Sequence, residues 1–187
     1  MKYLIAFSVV LLSVAILPAQ ELTNDVLKKR VAAANAEDNI ALTTEGGTTK
    51  IMAVTENFSK EESSRSGVLA MTLAVGLVYP GESLSKSPEA FMLTFWVLSK
   101  KPRFAENHSM SVMLREEVLV IGSARYIAKP REQMEYLNFE ISRANLAKIA
   151  TESDVRFKLG DRDFTFTKSQ MKLLADLLVV TEVGEAN

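Results

Sequence analysis

From Gly67 to Tyr79 the chain alternates large and small side chains, and neither series carries a charge. Leu69, Met71, Leu73, Val75, Leu77 and Tyr79 hold the odd positions, with Val68, Ala70, Thr72, Ala74 and Gly76 between them. Successive side chains of a strand point to opposite faces, so this segment folds as a strand with two unlike faces. The lack of charge on both predicts a central strand covered on each side, whose small face lets a helix approach closely. A membrane span is excluded by length, because 13 residues ending at Pro80-Gly81 are too few to cross a bilayer as a helix.

Such a strand needs neighbours, and the rest of the chain supplies them. Lys50 to Phe58 reads as a strand, and Ala90 to Leu98 as another, ended by Lys100-Lys101-Pro102. Met110 to Leu114 and Val118 to Gly122 flank Arg115-Glu116-Glu117 as the arms of a hairpin, which Arg125 to Ala128 extends. Tyr136, Asn138 and Glu140 alternate with Leu137, Phe139 and Ile141, the pattern of a half-buried strand with one wet face. Ser142 caps a helix from Arg143 to Glu152. Val155 to Thr167 is a hairpin turning at Gly160-Asp161, and Thr167 to Gln170 fits a capping box that opens a helix with Met171, Leu174, Ala175 and Leu178 inward.

Ahead of these, Thr23 to Ile40 reads as a weakly amphipathic helix through Leu27, Val31 and Ala34, followed by the sequence TTEGGTT (43–49) as a turn or linker. The expected class is α+β. It comprises a mostly antiparallel, curved sheet of about seven to eight strands, C-terminal helices packed on one face, and an N-terminal helix as an appendage. One domain spans 48–182, after a helix and linker at 20–47 and before a tail at 183–187.

The first residues carry an export pattern. Met1-Lys2 is a short positive start, Tyr3 to Leu17 is uncharged and apolar, and Pro18-Ala19 follows, so residues 1–19 read as a signal peptide cleaved after Ala19. Removing them leaves 168 residues (187 − 19), enough for one ordinary domain, and moves the formal charge from −1 to about −2 through loss of Lys2. The chain has no cysteine, which excludes disulfides, thiol nucleophiles, Cys-ligated zinc and a lipid anchor through cysteine. Export without disulfides points to a bacterial envelope protein, periplasmic or secreted. Near-neutral charge with mixed signs gives no footprint for nucleic acid and no polybasic membrane patch.

Few residue sets suggest chemistry. His108 is the only histidine, which excludes HExxH sites, and there is no GxSxG elbow to give it a nucleophile. With Met110 and Met113 it forms a weak candidate Cu(I) set of soft ligands, although both methionines fit the core alternation of their strand. The carboxylate pairs Glu61-Glu62, Glu116-Glu117 and Asp161/Asp163 fall in loops and turns, and Glu140 alone lies on the wet face of a strand. Lys100, Lys101 and Arg103 form one basic group and Lys129 and Arg131 another, while Arg156 and Lys158 with Arg143 and Lys148 would form an anion patch if they met. No nucleotide motif is present, and no cofactor is expected. The expectation is an exported, non-catalytic protein whose sheet binds a partner protein or an apolar small ligand. The alternative is an envelope hydrolase with scattered carboxylates or hydroxyls.

Overall fold

The computed structural model describes residues 21–36, 38–58 and 67–184. The segment read as an export signal and the loop holding Glu61-Glu62 lie outside the described residues.

The described chain runs β1 (Leu22–Thr23), α1 (Asn24–Ala33), β2 (Ile40–Glu45), β3 (Thr48–Asn57), β4 (Ala70–Pro80), β5 (Ser83–Leu84), β6 (Ala90–Leu98) and β7 (Ser109–Met113). It continues through β8 (Val118–Ser123), β9 (Arg125–Lys129), a 3-10 turn (Pro130–Glu132), β10 (Met134–Ser142), α2 (Arg143–Thr151), β11 (Arg156–Leu159), β12 (Arg162–Thr165) and α3 (Lys168–Val180). All pairings are antiparallel: a six-stranded sheet β2-β3-β4-β6-β10-β9, a four-stranded sheet β12-β11-β7-β8, and the short pair β1-β5. The α+β, mostly antiparallel class stands. A single sheet of seven to eight strands does not, and the corner at Ala124 is the physical reason. The chain from Val118 to Lys129 breaks there, so β8 pairs with β7 in the small sheet while β9 pairs with β10 in the large one.

The N-terminal helix is also more than an appendage. Residues 43–49 form the tip and inner flanks of the β2–β3 hairpin, with Gly46 and Gly47 at φ of 57° and 74°, a conformation glycine adopts without cost. α1 buries Leu27 and Val31 in the common core, and the Arg30 guanidinium donates to the carbonyls of Val179, Val180 and Glu182 at the end of α3. Cations placed there answer the unpaired carbonyls of a helix C-terminus.

The core lies between the inner faces of the two large sheets and the helices. Phe157 of β11 is its hub, with ring centroids 4.6 Å from Phe166, 5.2 Å from Phe164, 5.3 Å from Phe95 of β6 and 5.6 Å from Phe58. These contacts join the two sheets, and tilted or offset rings at such distances add to plain area burial. The local caps form as the sequence predicts. Ser142 accepts from the Asn145 N–H, and Thr167 with Gln170 closes a full capping box. In α3, Met171 and Leu174 are buried, joined by Leu173, Leu177 and Val180, while Ala175 and Leu178 are only half-buried. The helix packs against α2, β3 and α1, so its buried stripe is wider than a one-sided helix requires.

A candidate binding face on the six-stranded sheet

The alternation in β4 decides which face of the large sheet meets the core. Met71, Leu73 and Val75 point inward and are fully buried. Thr72, Ala74, Gly76 and Val78 point the other way, where Ala74 is buried at 3% exposure, Thr72 and Gly76 are half-buried and Val78 is exposed among the described residues. Cross-strand register extends this face as rows: Thr72–Trp96–Tyr136–Ile127, then Val54–Ala74–Thr94–Asn138–Arg125, then Ala41–Met52–Gly76–Met92–Glu140. The rows enclose a hollow of about 580 Å³. Val78 is 64% exposed, Met92 46% and Ile127 41%, so large apolar groups stand in water here. The central strand predicted to be covered on both sides is therefore covered on one.

The hollow is concave because β3 curls over β4 at Gly76. A Cβ at that position would lie 2.3 Å from the Ile51 carbonyl oxygen and 3.2 Å from the Met52 Cα, a contact no side chain tolerates. Glycine here allows close backbone approach. Two neutral polar side chains on the floor bond to each other and to backbone. Thr94 Oγ1 donates to Asn138 Oδ1 at 3.0 Å, and Asn138 Nδ2 donates to the Arg125 carbonyl at 3.1 Å. At the β9 border the Lys129 ammonium sits 5.5 Å from the centre of the Tyr136 ring. Glu140 is the one carboxylate lining the hollow, with no second carboxyl to share general acid–base work.

A second polar centre lies inside the fold, and it was not singled out from the sequence. The Glu135 side chain is 1% exposed and accepts from Ser99 Oγ at 2.8 Å, from the N–H groups of Arg103 and Phe104 at 2.9 Å, and from the Tyr126 hydroxyl at 3.0 Å. It pins the loop after β6 and the edge strand β9 to β10. The signal was present: Glu135 shares parity with Leu137, Phe139 and Ile141, so the alternation that buries those three carries a carboxylate inward. Burial, then the hydrogen bond to Glu135, then its charge push the Tyr126 phenol up from 10.0 to about 12. Because this folded value lies above the unfolded one, the stability tied to the neutral phenol is intact below pH 10. It is lost as pH rises from there through 12. Phenolate absorbance during an alkaline titration is expected to show Tyr126 ionising last, and Tyr126→Phe is expected to remove that late step.

The remaining predicted residues do not converge. His108 stacks on Tyr126 with ring centroids 5.5 Å apart, and its Nδ1 is buried without a partner. Met110 is buried on the inner side of β7, whereas Met113 is half-buried on the opposite side, so the three do not close as a ligand set. Among the described residues no group of three His, Asp or Glu side chains could hold a metal ion. Glu117 pairs with Lys148 at 2.7 Å, and Asp161 lies 3.7 Å from Arg162. Arg143 is taken by Glu182, Thr181 and the Leu178 carbonyl, and Arg156 and Lys158 lie on the outer side of β11. Two of the four cations proposed for an anion patch, Arg143 and Lys148, are thus already paired with carboxylates. No helix among the described residues is long and apolar enough to cross a membrane.

Comparison with known proteins gave no matching family model, no matching curated protein and no matching solved structure.

Proposed function

We propose that this is an exported, non-catalytic binding protein of the bacterial cell envelope whose open sheet face seats an apolar helix of a partner protein. The observation that carries the reading is the residue content of that face in β4 and β6. A sheet face that meets water is ordinarily polar, yet Ala74, Gly76 and Val78 of β4 and Met92, Thr94 and Trp96 of β6 include no charge. Dimensions choose the occupant. Ala90 to Trp96 is about 20 Å along the strand, and the four strand spacings from β3 to β9 add up to about 19 Å. A hollow of about 580 Å³ spread over that area is shallow and cannot enclose a small molecule, most of whose surface a ligand pocket normally buries. A helix about 10 Å across lies in it with one apolar face down against Val78, Met92 and Ile127.

The chain's only tryptophan is in this face, so its fluorescence reports on occupancy without a label. Titration of the protein lacking residues 1–19 with an amphipathic Leu/Lys model helix is expected to shift Trp96 emission to the blue and saturate. Tyr136→Ala with Ile127→Ala is expected to weaken that binding about tenfold or more, the order of losing two well-buried contacts. No shift with the peptide, or saturation by monomeric laurate alone, would sink the helix reading, and the second result would favour an apolar small ligand. Export supplies the compartment: protein recovered from an envelope fraction is expected to begin at Gln20 by intact mass.

A further inference from the structure

We propose that Met92 is an oxidation site through which peroxide closes the binding face; the inference rests on the binding reading above. The methionines differ sharply in access. Met71, Met110 and Met171 are buried in the core at 6% exposure or less, Met52, Met113 and Met134 are half-buried, and Met92 alone among the described residues is in the exposed class. Its thioether stands in the middle of the face, opposite Gly76 on one side and Glu140 on the other. Glycine at 76 puts no side chain over it, so an oxidant in solution reaches the sulfur directly.

The chemistry needs only hydrogen peroxide, a two-electron oxidant. The sulfur lone pair attacks one peroxide oxygen and the O–O bond breaks. That oxygen stays on sulfur as the sulfoxide, and the other leaves as water with the two peroxide protons. The product exchanges a soft apolar group for a strong hydrogen-bond acceptor. Its cross-strand neighbours supply no donor, since Gly76 has no side chain and the Glu140 carboxylate only accepts. A seated apolar helix would therefore bury the sulfoxide without a partner, at a cost that weakens binding.

Limited peroxide treatment followed by peptide mass mapping is expected to add one oxygen at Met92 before Met52, Met113 or Met134. The singly oxidised protein is expected to bind the Leu/Lys model helix about tenfold more weakly by Trp96 emission, the order set by burying one unpaired polar group. Met92→Leu is expected to hold one affinity, whatever its value, before and after the same peroxide dose. Oxidation of Met52, Met113 or Met134 first, or an unchanged affinity after Met92 is oxidised, overturns the inference and leaves the binding reading standing. Absence of helix binding before any peroxide is added overturns both.

Discussion

Replacing Glu135 by alanine is expected to remove about 3–5 kcal/mol of stability, since at least two buried donors lose their acceptor at roughly 1–3 kcal/mol each. The donors are the Phe104 N–H, the Arg103 N–H and the Tyr126 phenol, whereas the Ser99 hydroxyl can turn its single proton to the Lys101 carbonyl. Alanine leaves these three without the carboxylate they share. Glu135→Gln is expected to lose less. Its amide oxygen can serve Phe104 and Tyr126, and its amide nitrogen can donate to a Ser99 hydroxyl that already donates onward to the Lys101 carbonyl. It still sets one N–H against the Arg103 N–H. Denaturant unfolding at neutral pH measures both losses, and amide exchange should show the 99–104 loop opening first in the glutamine variant. A loss below about 1 kcal/mol for the alanine variant would mean that water replaces the carboxylate and that the node is not structural.

The local code of this chain is legible where neighbours in sequence are neighbours in space. The Ser142 cap, the Thr167–Gln170 box and the Gly160-Asp161 turn each need only a few adjacent residues, and all three form. The linker reading of 43–49 misses for a related reason. Gly46-Gly47 turns a hairpin or loosens a tether equally well, and the choice between them lies in Ile40 and Ile51, whose burial depends on the distant core. The switch of sheets at Ala124 is invisible in sequence because Val118 to Lys129 has strand character on both sides of it. Covering is harder still. Ala90 to Leu98 is apolar on both faces, so sequence shows that both faces avoid water but not that one of them is left open. That mismatch between apolar residues and missing cover is what gives the outer face its functional reading.

The other large expected effect lies at Gly76, where fold and binding face meet. Gly76→Ala places a Cβ 2.3 Å from the Ile51 carbonyl oxygen, which belongs to backbone and cannot swing aside as a side chain would. Relief requires β3 to move away from β4, stretching the ladder between Ile51–Leu77 and Met52–Gly76. The expected cost is about 2–3 kcal/mol, the upper part of the usual range for overpacking. Flattening at this point also spreads Met52 from Met92 and reduces the concavity that seats a helix. The variant is therefore expected to lose affinity for the Leu/Lys model helix under conditions where it remains folded, as shown by an unchanged far-ultraviolet spectrum. Ala74→Gly, one register step along the same face, removes only a methyl group and separates the two effects: it weakens local packing without forcing β3 outward. If Gly76→Ala binds the helix as well as the parent does, curvature at this strand pair is not what makes the face a binding site, and the aromatic row of Trp96 and Tyr136 must do so on its own.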